Sequence, residues 1–290
     1  MTAIGSWPRL DGVTYQVALL DVDGTLRHKD RWNDGALELI DDLHSAGVRV
    51  ALCSGRTTGS MVDLVREVPH VDYLASSSGA TALRRTADGW EVLGHRPLPV
   101  EAVAGALESA RARGFEVWAF TDREWLVAEE TDWALTEASY IGDTPRVADL
   151  AAHAGRIGKV LYLLQDPTHA EVVKGFSQWP GTEIVKSGEH YIDLVSTQAH
   201  TAKGGDLILE ALGVDWDRVI AIGDGENDRG MLSLAGLAVC VTPMTADNLD
   251  PDDGTRVRRN AADTAQARDI VAEYLDAAGR KLTAAADPLP

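Results

Sequence analysis

The sequence contains little cysteine and no long apolar run. Its two cysteines, Cys53 and Cys240, are too few among 290 residues for a disulfide framework or a structural zinc site. Both lie in apolar stretches that are typical of strands, which predicts two buried thiols. No apolar stretch approaches the roughly 18 residues that are needed to cross a bilayer. These absences argue against a disulfide-stapled scaffold and against a membrane-spanning protein.

Positive charge is also scarce. The 27 lysines and arginines face 45 aspartates and glutamates, which gives a net charge of −18. Such a surface repels nucleic acid and anionic membranes, so we expect neither as a partner. A small phosphorylated substrate is compatible with this charge, because a metal ion and a few local donors outweigh a distant net charge. Residues 1–10 contain no basic region followed by an apolar run, so we expect no signal peptide and a cytoplasmic location.

Both ends of the chain show alternating strand and helix patterns. The apolar run Val17–Leu20 predicts a buried strand, and apolar residues recur at helical spacing across residues 35–46. Further strands are predicted at Val48–Cys53 and Val71–Ala75, and the same pattern returns from Val219 onward. This order predicts a parallel sheet with right-handed crossovers, which is the architecture of an α/β protein.

The middle of the chain has a different pattern. Three pairs of strand-like segments each flank a turn signal, which predicts hairpins. The paired segments are Thr81–Arg85 with Trp90–Gly94, Glu116–Phe120 with Trp125–Ala128, and Thr182–Lys186 with Tyr191–Val195. Helices are predicted at Val100–Arg113 and Thr168–Phe176. Hairpins mixed with helices predict an α+β module at residues 81–195, inserted into a domain formed by residues 1–80 and 196–290.

The first predicted strand runs into the acidic stretch Asp-Val-Asp-Gly-Thr-Leu, from Asp21 to Leu26. Two carboxylates at positions i and i+2 can serve one centre in two roles. Asp21 could attack phosphorus and form an aspartyl phosphate, while Asp23 could protonate the leaving oxygen and later deprotonate water. The alternative is an ordinary acidic turn.

A second acidic stretch, Gly-Asp-Gly-Glu-Asn-Asp, begins at Gly223 after another predicted strand. Carboxylates at a strand end suit Mg²⁺, which binds one or two protein carboxylates together with water and a substrate phosphate. Asp228 lies one helical turn beyond Asp224 and can face the same site. A calcium loop would need a regular acidic alternation and a closing glutamate, which are absent here. A capped acidic turn is the other alternative.

Two shorter stretches carry groups that suit a phosphate. Ser54-Gly55-Arg56 follows a predicted strand, where a hydroxyl and backbone N–H groups at a helix start can bind phosphate oxygens. Lys203 opens another predicted helix and can neutralise a phosphoryl group. Taken alone, the first stretch is also typical of an ordinary turn and the second of a solvated lysine. The carboxyl ends of parallel strands share one edge of a sheet, so these groups can meet despite their distance in sequence.

Together the four stretches resemble the haloacid dehalogenase superfamily of aspartyl-phosphate enzymes. The order is the same: Asp-x-Asp-Gly-Thr from Asp21, Ser54, Lys203, and Gly-Asp-x-x-Asn-Asp from Gly223. The inserted module between Ser54 and Lys203 resembles the cap of the IIB, or Cof-like, phosphatases. The resemblance implies a Rossmann-like parallel sheet core with helices on both faces and an inserted α+β cap.

The resemblance also implies a role for each motif residue. Asp21 would be the nucleophile and Asp23 the general acid and base. Mg²⁺ would be held by Asp21, the backbone carbonyl of Asp23, and Asp224. Ser54 and Lys203 would contact the phosphoryl group. The residues that would orient the metal shell and Lys203 are Asn227 and Asp228.

Further substrate-binding candidates lie beside the motifs. Gly55 and Arg56 follow Ser54 directly. Ser78 and Gly79 lie in a Ser-Gly-Ala turn where Cof-like enzymes commonly carry Asn-Gly-Ala. Because serine is shorter than asparagine, any substrate contact that the asparagine makes would be altered here.

The cap is expected to select the substrate, since the core motifs supply only generic phosphate chemistry. Arg123, Trp125 and His190 lie near predicted hairpin tips and are candidate substrate contacts. Each of them has an ordinary role on the surface or in the cap core as its alternative.

The sequence therefore predicts a Mg²⁺-dependent phosphatase of a small soluble metabolite, with a sugar phosphate as the favoured substrate. A sugar phosphomutase similar to the phosphomannomutases would need the same two aspartates, so the motifs do not separate the two enzymes. A non-catalytic ligand-binding scaffold is a third reading, although Asp21, Asp23 and Lys203 are all present. Both a monomer and a homodimer are compatible with the sequence.

Overall fold

The computed structural model describes residues 15–176, 179–250 and 256–284. Within these ranges the chain forms strands, α-helices and short 3₁₀ turns in alternation. The strands are β1 (Val17–Asp21), β2 (Arg27–His28), β3 (Arg31–Trp32), β4 (Arg49–Cys53), β5 (Tyr73–Ser76), β6 (Thr81–Thr86), β7 (Gly89–His95), β8 (Glu116–Phe120), β9 (Trp125–Val127), β10 (Arg146–Val147), β11 (Lys159–Leu163), β12 (Thr182–Lys186), β13 (Tyr191–Ser196), β14 (Val219–Gly223), β15 (Leu237–Val241) and β16 (Val257–Ala261). The helices are α1 (Ala36–Ser45), α2 (Thr58–Leu64), α3 (Val100–Arg113), α4 (Asp132–Ile141), α5 (Ala170–Lys174), α6 (Thr197–Ala202), α7 (Gly205–Leu212), α8 (Arg229–Leu234) and α9 (Thr264–Ala284).

The chain packs into two compact units. The described parts of residues 1–52, 70–72 and 209–290 form the first, and those of residues 53–69 and 73–208 form the second. By this division the segments on both sides of the inserted module pack together with it. The predicted domain limits, with a core of residues 1–80 and 196–290 and a cap of residues 81–195, stay a prediction.

The first unit contains a parallel sheet in the strand order β16-β15-β14-β1-β4. In β1 and β14, Val17 lies opposite Val219 and Leu20 opposite Ile222. Every residue of β1, β14 and β15 is buried. Continuous apolar runs of this kind are typical of parallel strands that are covered on both faces. Helices α8 and α9 contact these strands, and α1 packs against α9. The predicted α/β fold with a parallel sheet and helices is confirmed.

The second unit contains two arrangements of strands that are antiparallel except where β10 pairs with β9 in parallel. Strands β5, β6 and β7 follow one another as a meander. Strands β8 to β13 form a six-stranded sheet in the order β10-β9-β8-β11-β13-β12. Alternate residues of this sheet enter two separate cores, because successive side chains point to opposite faces. Val160 and Tyr162 join the core that includes α3, while Leu161 and Leu163 join an aromatic core.

Several elements differ from the sequence prediction. Helix α4 was not predicted, and the Thr131 hydroxyl caps it by accepting from the Ala134 N–H at 3.1 Å. Strand β16 was not predicted, since its residues Arg258 and Arg259 interrupt any apolar run. After the second acidic stretch the chain first makes a 3₁₀ turn and then becomes α8 at Arg229.

Burial of the two thiols is confirmed, since Cys53 and Cys240 are both fully buried. In the part of the chain that the structure describes, no helix is both long and apolar enough to cross a membrane. The prediction that residues 1–10 form no signal peptide concerns residues outside those that the structure describes.

Candidate active site

The first unit places two acidic motifs at the carboxyl ends of neighbouring parallel strands. Strand β1 ends at Asp21, whose side chain is buried, and β14 ends at Gly223. After β1 the chain closes a tight turn, in which the Arg27 N–H donates to the Val22 carbonyl at 2.8 Å. Asp23 lies in this turn and is exposed. Asp21, the predicted nucleophile, is therefore shielded from solvent, whereas Asp23, the predicted general acid and base, faces it.

Asp224 lies directly against the turn that follows β1. The Thr25 hydroxyl donates to Asp224 Oδ1 at 2.8 Å. Gly24 has a φ of +97°, and a Cβ at this position would lie 2.2 Å from Asp224 Oδ2. A side chain would therefore collide with the carboxylate and strain the backbone. Glycine at position 24 is what lets the two motifs approach each other.

Asp228 holds the second motif in shape. Its Oδ2 accepts from the N–H groups of Asp224, at 3.1 Å, and of Gly225, at 2.9 Å. The side chain is fully buried. Asn227 is exposed, and its amide oxygen lies over Gly225. The strand-to-turn geometry thus points the Asp228 carboxylate back towards the end of β14.

Three carboxylates converge as a result. One oxygen from each of Asp21, Asp224 and Asp228 lies within 4.8 Å of the others. Hard oxygen donors in this number suit Mg²⁺, which keeps part of its water shell when it binds to proteins. The three side chains also concentrate negative charge that a divalent cation would offset. The family resemblance implies only an orienting role for Asp228, yet its carboxylate lies as close to the cluster as the two predicted carboxylate ligands. The i+4 spacing from Asp224 was the available signal.

The second unit contains the Ser54 turn. Ser54 is buried, and its Oγ accepts from the Arg56 N–H at 3.2 Å. Helix α2 begins just beyond, where the Thr57 hydroxyl accepts from the Ser60 N–H at 3.0 Å. The turn is therefore held by its own polar groups at the start of a short helix.

A second turn, residues 77–79, binds to the Ser54 turn through its backbone. The Ser77 N–H donates to the Arg56 carbonyl at 2.8 Å, and the Ser78 N–H donates to the Ser54 carbonyl at 3.2 Å. Ser77 and Ser78 both have positive φ, at 53° and 56°. Two consecutive non-glycine residues in this region store strain that the surrounding contacts must balance. The structure thus brings together the predicted substrate-binding groups of both turns.

Lys203 belongs to the same neighbourhood. It is buried and ends α6 with a φ of 49°. A Cβ on Gly79 would lie 2.3 Å from the Ala199 carbonyl oxygen and 2.4 Å from the Gly204 nitrogen. The residue 77–79 turn therefore packs backbone to backbone against the segment that presents Lys203.

The three predicted cap contacts lie in different environments. Arg123 is exposed, and its guanidinium donates to the Trp90 carbonyl at 3.4 Å. Trp125 is only 1% exposed and packs edge to face with Trp118, with 4.8 Å between ring centroids. The imidazole of His190 is half-buried and lies 2.8 Å from the Leu164 carbonyl oxygen. Contact of these side chains with substrate stays a prediction.

Charges surround the hairpin tip that carries Arg123. Glu124 accepts from Arg146 Nε at 2.7 Å, and an Arg156 nitrogen lies 3.7 Å away. The hydrogen bond from Arg146, followed by the charges of Arg146 and Arg156, holds the pKa of Glu124 below its usual value. This carboxylate therefore stays charged at neutral pH and fixes the two arginines around the tip.

A carboxylate cluster at the ends of adjacent parallel strands lies where open α/β sheets commonly bind their ligands. Comparison with known proteins identifies the family of the chain. The family model for haloacid dehalogenase-like hydrolases matches residues 18–246, and the chain belongs to this family. The resemblance inferred from the motifs is thereby confirmed.

Named relatives agree with this membership. The chain is 24% identical over 239 residues to a phosphoglycolate phosphatase of Methanospirillum hungatei, with 79% of this chain and 84% of that protein covered. It is 23% identical over 225 residues to an HMP-PP phosphatase of Cronobacter sakazakii, with 76% and 82% covered. The predicted enzyme class, a phosphatase of this family, is confirmed.

Solved structures show the same fold. A haloacid dehalogenase-like hydrolase from Bacteroides thetaiotaomicron superposes with a TM-score of 0.71 at 22% identity, covering 89% of this chain and all of that one. A subclass IIB sugar phosphatase superposes with a TM-score of 0.66 at 18% identity, covering 80% and 90%.

Proposed function

We propose that this phosphatase hydrolyses a phosphomonoester of a small soluble metabolite, with Mg²⁺ as cofactor and an aspartyl phosphate at Asp21 as intermediate. The observation that carries the proposal is the convergence of Asp21, Asp224 and Asp228 at two strand ends. The motif order and the family membership supply the reaction class.

The chain's own carboxylates would hold the cofactor. Asp21, Asp224 and Asp228 offer the side-chain oxygens, and the backbone carbonyl of Asp23 is the further predicted ligand. When bound, Mg²⁺ would offset the negative charge of the phosphoryl oxygens. Ca²⁺ would replace it poorly, because three carboxylates fall short of the six to eight oxygen ligands that Ca²⁺ takes.

Two aspartates carry the reaction. In the first step an Asp21 oxygen attacks phosphorus, the bond from phosphorus to the ester oxygen breaks, and Asp23 donates a proton to that oxygen. In the second step Asp23 accepts a proton from water as the water oxygen attacks phosphorus. The bond between Asp21 and phosphorus then breaks and inorganic phosphate leaves. Burial limits the access of stray water to Asp21, whereas the exposure of Asp23 suits proton exchange.

Ser54 and Lys203 are proposed as contacts of the phosphoryl group. A hydroxyl at a helix start donates to a phosphate oxygen, and a buried ammonium neutralises developing charge. Both side chains are buried, and a donor that is shielded from water interacts more strongly with a charged phosphoryl group.

The substrate class is proposed from the relatives. Two of them are named for phosphoglycolate and HMP-PP, and one solved structure for a sugar phosphate. All are small phosphorylated compounds, and a sugar phosphate is the favoured class here. We place the reaction in the cytoplasm.

A phosphate-release screen tests the proposal. The purified chain is given sugar phosphates, nucleotides, pyridoxal phosphate and p-nitrophenyl phosphate, with Mg²⁺ or with excess chelator. We expect release with Mg²⁺ and its loss with chelator. A bisphosphate activator is added in parallel, since isomerisation of a sugar phosphate that depends on the activator would identify a phosphomutase. Full activity in chelator, with metal absence verified by elemental analysis, would refute the metal role.

A further inference from the structure

Two buried residues of opposite charge lie outside the predicted catalytic set. Lys159 begins β11 and Asp193 lies in the middle of β13. Because Leu161 lies opposite Asp193 and Lys159 opposite Val195, the two are diagonal neighbours on one face of the antiparallel sheet. Lys159 Nζ lies 2.9 Å from Asp193 Oδ2, and the side chains are 4% and 2% exposed.

The Lys159 ammonium has three partners, and one of them is the Ser54 turn. Besides Asp193, it donates to the Gly55 carbonyl at 2.9 Å. It also lies 4.9 Å from the centroid of the Phe120 ring, at cation–π distance. A side chain of the inserted sheet therefore reaches the backbone of the turn that is predicted to bind phosphate.

The position of this bond within the turn is informative. The Gly55 carbonyl and the Arg56 N–H belong to the same planar peptide unit, so fixing one fixes the other. The Arg56 N–H donates to Ser54 Oγ at 3.2 Å. A single rigid peptide therefore links the Lys159 ammonium to the Ser54 hydroxyl. Because that hydroxyl oxygen accepts here, its proton can be directed to a phosphoryl oxygen.

Asp193 connects the same pair to the second turn. The Ser78 hydroxyl donates to Asp193 Oδ2 at 3.4 Å, the oxygen that also binds Lys159. A Cβ on Gly55 would lie 3.4 Å from Ser78 Oγ and 3.9 Å from Lys159 Nζ, so the three groups are close neighbours. One carboxylate thus ties the lysine and the residue 77–79 turn together.

Stability alone does not account for the pair. The cost of removing two charges from water commonly equals or exceeds their attraction, and apolar replacements of similar volume are often neutral or stabilising. What an ion pair supplies, and an apolar pair does not, is a directed donor for the Gly55 carbonyl.

We propose that Lys159 is a positioning residue for the phosphoryl-binding turn, with Asp193 as its counter-ion. The pair sets the Gly55–Arg56 peptide and thereby the orientation of the Ser54 hydroxyl towards a phosphoryl oxygen. This inference rests on the proposed phosphatase function. It gives the inserted sheet a role in binding the phosphoryl group, in addition to the predicted role of the cap in selecting the substrate.

The test replaces the pair without leaving an unpaired buried charge. The double variant K159M/D193L removes both charges and keeps apolar volume. K174M, which breaks the exposed Lys174–Glu171 pair of the same unit, is the matched control. We expect K159M/D193L to fold with a melting temperature close to that of the unmodified chain. Its kcat/KM for p-nitrophenyl phosphate should fall about 100-fold, the effect of a small misplacement of a catalytic contact. K174M should match the unmodified chain.

A double-mutant cycle with S54A shows whether the pair works through Ser54. If it does, adding K159M/D193L to S54A lowers kcat/KM by no more than about twofold, because the contact is already lost. Competitive inhibition by inorganic phosphate should weaken in K159M/D193L and in S54A, and it should weaken no further when the two changes are combined. K159R keeps a cationic donor and should therefore retain more activity than K159M/D193L.

The outcomes separate the two proposals. Suppose that the unmodified chain releases phosphate. If K159M/D193L then lowers kcat/KM in the S54A background as much as in the unmodified chain, or lowers it in neither, the positioning role is overturned and the phosphatase proposal stands. An unmodified chain without activity on any substrate overturns both. If K159M/D193L does not fold, D193N keeps the side-chain shape and is measured in the same cycle; additive losses with S54A again overturn the inference.

Discussion

The two units surround their carboxylates with opposite kinds of charge. The first brings Asp21, Asp224 and Asp228 within 4.8 Å of one another at the ends of parallel strands. The second places Asp193 against Lys159 on an antiparallel sheet. Like charges gathered together suit a cation supplied from solution, whereas the paired charges are neutral without one. By our proposals, the same residue type would bind a cation in the first unit and position a neighbouring side chain in the second.

The largest expected effect concerns the predicted nucleophile. Asp21→Asn should reduce kcat by about 1,000-fold or more while the chain still folds, because an amide does not accept the phosphoryl group. Acid quenching during turnover, followed by peptide mass spectrometry, should find a phosphate adduct on the Asp21 peptide of the unmodified chain only. Residual Mg²⁺-dependent activity above roughly one per cent of the unmodified chain would contradict the assignment.

The second effect sharpens the contrast between the two acidic arrangements. Mg²⁺ should raise the melting temperature of the unmodified chain, because a ligand that binds the folded state stabilises it. Asp224→Asn should abolish this shift, whereas the double variant K159M/D193L should retain it. A shift that survives in D224N, or disappears in the double variant, would contradict the division of roles between the units.

A third prediction concerns the aromatic core of the second unit. Trp125→Ala should destabilise the fold by about 3–5 kcal/mol, since it removes a large buried side chain. Arg123→Ala, two residues away and exposed, should change stability by less than about 0.5 kcal/mol. Denaturant unfolding monitored by circular dichroism measures both.

The same Arg123 variant tests substrate selection. We expect R123A to change the ranking of substrates while its kcat/KM for p-nitrophenyl phosphate stays nearly constant. The p-nitrophenyl group is a generic leaving group that needs no specific contact with the cap. Equal losses on all substrates would show that this side chain supports the hairpin and does not select.

The smallest effect concerns a thiol in the parallel sheet. Burial raises the pKa of Cys240 to about 11, so its reactive thiolate is scarce at neutral pH. In the folded chain Cys240 should resist iodoacetamide at pH 8 and become reactive in guanidinium. Rapid labelling of the folded chain, measured by mass spectrometry, would show that this part of the sheet opens.

Much of the first unit could be predicted because local and long-range signals agree there. Buried runs such as Val17–Leu20 end in acidic turns, and the geometry of parallel strands brings those ends together. Strand β16 was missed because its arginines give no apolar pattern. In the structure the Arg258 guanidinium donates to carbonyl oxygens of α8 and of Ala235, directly after it. Such contacts are decided in three dimensions.

In the second unit the elements could be predicted but their side-chain roles could not. The hairpins formed near the predicted positions, yet Trp125 lies in the sheet core, and sequence alone does not separate a tip residue from a packing residue. Lys159 and Asp193 were not singled out as candidates. A charged residue within the apolar stretch Tyr-Ile-Asp-Leu-Val was the available signal, since buried charges need partners.

The close packing of Gly79 against the segment from Ala199 to Gly204 matters for the construction of chimeric enzymes. These stretches flank the two ends of the predicted cap, and a Cβ on Gly79 would lie within 2.4 Å of backbone atoms of that segment. If a cap were exchanged between relatives at its two ends, residues 77–79 and 199–204 would come from different parents, and their tightly packed backbones would leave no room for a mismatch. Residues 77–79 and 199–204 should come from the same parent, so the crossover points belong inside the module rather than at its ends.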